Sequence, residues 1–339
     1  MKDYKFNDKC CDAISTELYN TWYDANLCNQ SSYDSIYSVV ESNVYRLYIN
    51  NNIPHYTSFY YDNEVSHKNI SETLEILSNK YQPTQKSKEW YSLRNNIFSA
   101  SSIWKLFRSD VVKNNYIKEK AFPINKKFNV HSPSLEWGNK YEPVSIMIYQ
   151  DKYNTSIGEY GCILHDNYKF IGASPDGINI DQNSQLFGRM LEIKNVFNRF
   201  ITGIPKEDYW IQMQLQMETC NLDVCDFLET RFLEYSENEF YNDSIHTYKG
   251  IILQFSKITN DNDNMFTNEI NTPLFVYYPI NKCLEYEDIH NWIHIQKEKY
   301  SDSHILYTTL YWYLDELSCV IVRRNRLWFN SVLPIIQDS

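Results

Sequence analysis

The stretch Gly-Ala-Ser-Pro-Asp-Gly at residues 172–177, followed by Leu-Glu-Ile-Lys at residues 191–194, decides how this sequence folds. Side chains alternate along a β-strand, so Glu192 and Lys194 point to the same face of their strand. Asp176 lies in a Pro-Asp-Gly turn at the end of the preceding strand, and pairing of the two strands brings its carboxylate beside Glu192. The sequence therefore predicts two carboxylates and one lysine around a single point.

Carboxylates on adjacent strands form a hard oxygen site that suits Mg²⁺. A lysine one step away can hold or deprotonate a water molecule, and these are the groups that metal-assisted phosphodiester hydrolysis needs. Each motif is common when it occurs alone, because Glu-x-Lys lies on many solvated strands and Pro-Asp-Gly is usually only a turn. Their order and spacing within the elements predicted around them favour the hydrolytic site.

The periodicity around these motifs predicts a helix, a three-stranded meander, a second helix and a fourth strand. These elements span residues 136–150 (helix), 157–165, 168–173 and 190–194 (meander), 206–220 (helix) and 226–233 (strand). Pro143 has to lie in the first turns of its helix, because proline removes a backbone donor. Residues 90–107 predict two short helices, the second capped by Ser99 or Ser101. Residues 240–270 predict a loop-like insertion, and the helical pattern returns at 284–300 and 305–318.

The length of 339 residues and a hydrophobic content of 43% are typical of a globular chain with a substantial core. Pro83 and the polar residues that follow it mark a boundary between a helical N-terminal extension and the main domain. The expected division is 1–82 for the extension and 83–339 for the main domain, with a motif core at 88–235 and a C-terminal helical part at 270–339.

Charge is distributed unevenly along the chain. The net charge is −11, which by itself argues against a nucleic-acid partner. The segment between Lys80 and Lys140, however, holds twelve Lys or Arg and four acidic residues, a local charge of +8. One basic segment on an acidic chain is expected where phosphate is bound, although a solvated charged face accounts for it equally well.

Eight cysteines are present and none forms a Cys-x-x-Cys pair, so we expect reduced thiols in an intracellular protein. The first residues contain no apolar stretch of the kind found in signal peptides, so secretion is not expected. No apolar stretch approaches membrane-spanning length, so a membrane location is not expected either. His290 and His294 have the i, i+4 spacing of a metal pair, but the glutamate of a metalloprotease motif is absent and ordinary surface histidines are favoured.

The motifs together resemble the lambda exonuclease / YqaJ-type viral recombinase family of the PD-(D/E)xK nuclease superfamily. Four blocks carry the resemblance: Trp90-Tyr-Ser-Leu-Arg94 with Ser99-Ala-Ser101, Gly138-Asn-Lys-Tyr-Glu142, the two motifs quoted first, and Tyr209-Trp-Ile-Gln212-Met-Gln214-Leu-Gln216. They cover residues 88–235. The family often continues its Glu-x-Lys with Cys-Pro, whereas Asn195 and Val196 follow here, which we expect to alter the exit of the strand more than the metal chemistry.

The resemblance implies an α/β (α+β) fold with a restriction-endonuclease-like core, in which helices flank a central mixed sheet, and with helical additions at both ends. It implies roles for nine positions. Glu142, Asp176, Glu192 and the backbone carbonyl of Ile193 would hold Mg²⁺, for which Mn²⁺ substitutes; Lys194 would serve the water; Tyr209 and Gln212 would line the site; and Arg94 and Ser101 would hold a DNA 5′-phosphate.

The implied function is 5′–3′ digestion of double-stranded DNA from 5′-phosphorylated ends, in viral-type recombination, repair or genome processing. A single-strand annealing protein and further copies of the chain are the implied protein partners, and the choice between a ring and a monomer stays open. Two alternatives remain at this point: a structure- or sequence-specific endonuclease of the same fold, and a catalytically silent DNA-binding protein.

Overall fold

The computed structural model describes residues 8–25, 27–40, 70–122, 132–258 and 273–339. Helices among these residues include α1 (Asp8–Asp24), α2 (Ile70–Asn79), α3 (Lys88–Asn95), α4 (Asp110–Ala121), α5 (Pro133–Tyr153), α6 (Glu207–Cys220), α7 (Glu237–Asn242), α8 (Tyr286–Tyr300) and α9 (Arg326–Gln337). Residues 33–40 are helical as well. The strands are β1 (Phe98–Ser99), β2 (Ile157–Gly158), β3 (Ile163–Leu164), β4 (Ile171–Ala173), β5 (Gly177–Asn179), β6 (Met190–Asn195), β7 (Val224–Tyr235), β8 (Lys249–Lys257), β9 (Leu274–Tyr277) and β10 (His304–Arg323).

A seven-stranded mixed sheet organises these elements, in the order β2-β5-β6-β7-β10-β8-β9. Strands β6 and β7 run parallel, because α6 crosses between them, and the other neighbours are antiparallel. A second sheet of three strands has the order β1-β4-β3. The expected α/β class, with a central mixed sheet flanked by helices, is confirmed.

The two faces of β6 are covered by different helices. Leu191 and Ile193 pack with Tyr149 of α5 in one apolar cluster. Met190 belongs to a second cluster with Met213 of α6. Because side chains alternate along a strand, Glu192 and Lys194 share the α6 face, and the odd-numbered residues share the α5 face.

The predicted meander is wrong in its first strand and in its pairing, because β4 pairs with β1 and β3 and not with β6, whose antiparallel partner is β5. Residues 157–165 form β2 and β3, which belong to different sheets, and β5 was not expected. The break lies at Gly161, where a Cβ atom would come within 2.3 Å of the carbonyl oxygen of Pro83. The backbone at Pro83 can approach residue 161 this closely only because that residue is glycine. Gly161 lies between the two short strands in the sequence.

The prediction for the C-terminal part is wrong in one long element. Residues 305–318 lie in β10 and not in a helix, and the predicted insertion at 240–270 contains β8. Aromatic and β-branched residues dominate β10, from Tyr307 to Val322, and such residues favour strands over helices. The C-terminal part is therefore mixed and not helical, while the predicted helix at 284–300 is confirmed as α8. Residues 259–270 of the predicted insertion lie outside the described residues.

Two local predictions about helices also need correction. Pro143 lies well inside α5, not in its first turns, because the helix already begins at Pro133. Residues 90–107 form α3 and a short 3₁₀ helix, Ile103–Phe107, whose N-cap is Ser102 and not Ser99 or Ser101. The strand β1 lies between them, so residues 98–99 join a sheet that the sequence pattern did not indicate.

The N-terminal α1 contributes to a small apolar cluster of its own, which includes Cys11, Ile36 and Val40. Nothing in the structure tests the predicted division at residues 82 and 83, which stays a prediction. No helix among the described residues is both long enough and apolar enough to cross a membrane.

Phe232 on β7 provides a test of how α5 is attached to the sheet. Its ring lies 4.6 Å from that of Tyr141 on α5 and 5.4 Å from that of Trp312 on β10, measured between centroids. We expect Phe232→Ala to lower the free energy of unfolding by about 3–5 kcal/mol, because it opens a cavity between helix and sheet. The neighbouring Leu233 is 39% exposed and serves as the control.

Urea denaturation measures both variants. Leu233→Ala should change the free energy of unfolding by about 1 kcal/mol or less, since mostly exposed positions contribute little. Equal losses for the two variants would contradict the proposed packing of α5 on the sheet.

Candidate active site

Glu192 lies at the centre of the candidate site, on the α6 face of β6, and it is 0% exposed. Its Oε1 atom accepts hydrogen bonds from the Lys194 ammonium and, at 2.7 Å, from Gln212 Nε2. Its Oε2 atom accepts from Gln216 Nε2, also at 2.7 Å. Gln212 and Gln216 lie one turn apart on α6, so both amides reach the same carboxylate. Three donors thus compensate a carboxylate that water does not reach.

Asp176 lies between β4 and β5, next to the edge of β6. Its Oδ2 atom accepts a hydrogen bond from the Ile193 backbone N–H at 2.7 Å. The N–H and C=O of one residue in a strand point to the same side, so the Ile193 carbonyl also points towards Asp176. Burial and the negative charges of Glu192 and Glu142 raise the pKa of Asp176 well above its ordinary value.

Glu142 approaches this group from α5, on the other side of the sheet. Burial raises the pKa of its carboxyl group. The charge of Glu192 raises this pKa further, whereas Lys86 and Lys194 lower it. The helix of the Gly-x-x-x-Glu block therefore brings a third carboxylate to the neighbourhood of Glu192.

Lys194 is held between acidic groups and an aromatic ring. Burial lowers the pKa of Lys194, but the charges of Glu192 and Asp176 outweigh this effect and raise it above its ordinary value. Its ammonium lies 4.9 Å from the centre of the Tyr209 ring. These carboxylates stabilise the charged form of Lys194, whose ammonium can hold a water or a phosphate oxygen.

The donor types of the site fit Mg²⁺, since carboxylate and carbonyl oxygens are its usual ligands. Repulsion among Glu142, Asp176 and Glu192 gives a cation a further reason to bind there. Among the described residues, however, no three His, Cys, Asp or Glu side chains lie together as a ready metal cluster. The ligand set stays a prediction.

A second cluster contains the two residues expected to hold a phosphate. Arg94 NH2 donates a hydrogen bond to Ser101 Oγ at 2.7 Å, so the structure brings these residues together. The guanidinium lies 4.2 Å from the centre of the Trp90 ring, and Trp90 Nε1 donates to Ser174 Oγ at 3.0 Å. Because Ser174 lies two residues before Asp176, this chain of contacts links the cationic cluster to the carboxylates.

The sequence did not single out two residues that the structure adds to these clusters. Lys120 donates a hydrogen bond to the Arg94 carbonyl oxygen at 2.6 Å, and burial and the charge of Arg94 lower its pKa to about 8. Gln216 holds Glu192, although the sequence assigned a role only to Gln212. The i, i+4 spacing of the two glutamines was the available signal for Gln216. Lys120 gave no signal beyond its place in the basic segment.

Other charged or metal-ligating side chains outside the site have carboxylates beside them. His290 and His294 lie 3.7 Å and 3.6 Å from different carboxylates, those of Glu237 and Glu298, and each histidine is well exposed. Arg324, between β10 and α9, pairs with the carboxylates of Glu218 and Asp223.

Comparison with known proteins gives three similarities. Residues 89–223 match the model of the YqaJ-like viral recombinase domain, which confirms the family expected from the motifs. "Uncharacterized protein R354" of Acanthamoeba polyphaga mimivirus is 30% identical over 301 residues, which make up 78% of this chain and 53% of that protein. The chain thus spans about half the length of this relative.

Two crystal structures of the alkaline exonuclease LHK-Exo from Laribacter hongkongensis, one in complex with dAMP, are similar to this chain. Each has a TM-score of 0.42 and 16% sequence identity, and each likeness covers 74% of this chain. The shares covered of the two solved chains are 89% and 90%.

The repulsion among the carboxylates predicts that one of them can be neutralised with a gain in stability. A carboxyl group whose pKa rises on folding contributes stability only while it is protonated, so ionised Asp176 destabilises the fold at pH 8. We expect Asp176→Asn to raise the melting temperature in a chelating buffer by roughly 2–4 °C. The amide oxygen still accepts the Ile193 N–H.

Asp166→Asn is the matched control for this measurement. A hydrogen bond from Lys80 lowers the pKa of Asp166, so its ionised form stabilises the fold. Its replacement should leave the melting temperature unchanged or slightly lower. A clear fall for Asp176→Asn would show that this carboxylate is not repelled by its neighbours.

Proposed function

Since residues 89–223 form a YqaJ-like viral recombinase domain, we propose that this chain is a metal-dependent DNA exonuclease. Its substrate is double-stranded DNA with 5′-phosphorylated ends, degraded in the 5′–3′ direction during viral-type recombination, repair or genome processing. The observation that carries this proposal is the arrangement around the end of β6, where Glu192 and Lys194 meet Asp176 from a turn and Glu142 from α5.

Glu142, Asp176, Glu192 and the Ile193 carbonyl would hold Mg²⁺ or Mn²⁺, which supplies a Lewis acid for the phosphodiester and activates a water molecule. Lys194 would serve that water or a phosphate oxygen from the face of β6 that it shares with Glu192.

Two helix residues support this chemistry from α6. Gln212 holds one oxygen of Glu192 and thereby fixes the orientation of the carboxylate. Tyr209 places its ring beside the Lys194 ammonium and restricts where that group can point. Positioning of this kind is a large part of hydrolytic catalysis, since small displacements of a reacting group cost rate.

The cationic cluster supports action at DNA ends. Arg94 and Ser101 can bind a terminal phosphate through a guanidinium and a hydroxyl group, and Lys120 adds a third donor nearby. The contact from Trp90 to Ser174 holds this cluster at a fixed distance from Asp176. A phosphate held there would set which bond reaches the carboxylates, which favours an exonuclease over an endonuclease.

The catalytic proposal predicts complete dependence on the metal site. Glu192→Ala and Lys194→Ala should each reduce cleavage of linear duplex by more than about a thousandfold, because metal and water positioning act as one unit. Cleavage should require Mg²⁺ or Mn²⁺ and stop with a chelator. End-labelled linear duplex and closed circular duplex are digested in parallel, and the linear form alone should be degraded.

The outcomes separate the alternatives. Cleavage of the closed circle would replace the exonuclease with an endonuclease. Undiminished cleavage by Lys194→Ala would remove the site assignment, and binding of DNA without any cleavage would favour a silent DNA-binding protein.

The cationic cluster predicts a preference for phosphorylated ends. Wild-type protein should degrade duplex with 5′-phosphate ends at least about tenfold faster than the same duplex with 5′-hydroxyl ends, since a charge-assisted contact contributes about 1.5–3 kcal/mol. Arg94→Ala should remove this preference and leave slow, metal-dependent cleavage. The measurement compares initial rates on the two substrates.

Arg108→Ala is the control, because Arg108 belongs to the same basic segment but already pairs with Glu207 at 2.8 Å. It should keep the preference. Equal rates of the wild type on both ends would reject the phosphate pocket while leaving the metal site in place.

A further inference from the structure

Asn195, the residue directly after Lys194, has its side chain on the opposite face of β6, towards α5. Its Nδ2 atom donates a hydrogen bond to the Gly138 carbonyl oxygen at 3.0 Å. Its Oδ1 atom accepts hydrogen bonds from Ser145 Oγ and Thr230 Oγ1, both at 2.7 Å. One amide thus joins β6 to α5 and to the neighbouring strand β7.

The two contacts on α5 lie on either side of Glu142. Gly138 lies four residues before Glu142 and Ser145 lies three residues after it, so all three residues share one face of the helix. Asn195 therefore contacts the turn before Glu142 and the turn after it. Because Asn195 also follows Lys194, it connects the residues that the proposed reaction needs from two separate elements.

Asn195 binds α5 close to the turn in which Pro143 weakens the hydrogen bonding of the helix. Pro143 lacks a backbone N–H and disturbs the carbonyl four residues earlier, so α5 loses part of its own hydrogen bonding beside Glu142. The carbonyl freed in this way is that of Asn139, and side chains from elsewhere bind the carbonyl groups on either side of it. Asn195 takes that of Gly138, and the Tyr277 hydroxyl donates to that of Lys140 at 2.9 Å. The position of Glu142 thus depends on groups outside its helix.

A purely structural role for Asn195 would account for its hydrogen bonds, but not for their location on both sides of Glu142. Ser145 and Thr230 are both 0% exposed, and their hydroxyls lie 2.9 Å apart, so loss of the amide leaves buried polar groups without their main partner. A comparable network joins Thr155 to Asn179 at 2.9 Å without contacting the turns around Glu142. Either network can stabilise the fold, so stability alone does not explain why the one around Asn195 contacts the turns beside Glu142.

We propose that Asn195 is a positioning residue that holds Glu142 at a fixed place relative to Glu192 and Lys194. The proposal rests on the proposed function, since it assigns Glu142 to the metal site. It departs from the expectation that the residues after the Glu-x-Lys motif alter the exit of the strand more than the metal chemistry. Hydrogen-bonded partners of metal ligands commonly change metal affinity or activity by about 10–100-fold when they are removed.

The test measures Mn²⁺ binding by calorimetry and DNA cleavage in parallel. Asn195→Ala should weaken Mn²⁺ binding and reduce kcat by about 10–100-fold. Thr230→Val should act in the same direction with a smaller effect, because it removes one of the three bonds. Thr155→Val is the matched control, since the same substitution removes a buried hydroxyl from the other network; both measured values should stay within about twofold.

A double-mutant cycle shows whether Asn195 acts through Glu142. In a Glu142→Gln background, Asn195→Ala should change the Kd for Mn²⁺ by less than about threefold, because the ligand that it positions is already lost. An unchanged Kd in Asn195→Ala, an equal loss in Thr155→Val, or the full loss in the Glu142→Gln background would each overturn the proposal.

The two readouts also separate this proposal from the proposed function. Wild-type protein that binds Mn²⁺ but cleaves no DNA would reject the nuclease while the Kd values still decide on Asn195. Wild-type protein that binds no Mn²⁺ would reject both.

Discussion

The burial of the Glu192 carboxylate is the constraint on which the site depends. A carboxylate removed from water is tolerated only with hydrogen bonds and opposite charge around it, and here Lys194, Gln212 and Gln216 provide them. These contacts fix α6 against β6, because two amides one turn apart must reach the same carboxylate. The register of strand and helix and the geometry of the site therefore have one physical origin.

The same arrangement leaves repulsion among carboxylates in the site, and this repulsion destabilises the folded state. Asp176 and Glu142 lie close enough to Glu192 for their pKa values to rise, and Lys194 and Lys86 do not fully compensate the three carboxylates. Clusters of this kind destabilise a fold and are typical of functional sites, where a substrate or cation supplies the missing charge. The hydrogen bonds of Asn195 to α5 fit this account. A repelled carboxylate on a helix that contains proline needs support from outside that helix.

Part of this account could be predicted from the sequence. Glu192 and Lys194 could be placed on one face because alternation along a strand is a local property, and the helix after them followed from its own periodicity. The strand at 305–318 was missed because its apolar spacing also suits a helix, and only pairing with β7 and β8 decides between them. For Gln216 the i, i+4 spacing from Gln212 was the available signal. The role of Asn195 depends on which elements become neighbours, and no local pattern contains that information.

The most direct test of the central claim is the position of Mn²⁺ in crystals grown with a short 5′-phosphorylated duplex, located by anomalous scattering. The account predicts a peak about 2.0–2.3 Å from carboxylate oxygens of both Asp176 and Glu192, with Glu142 drawn towards it and Lys194 facing the phosphodiester. A peak bound elsewhere, or DNA seated away from β6 with no metal at Asp176, would contradict it.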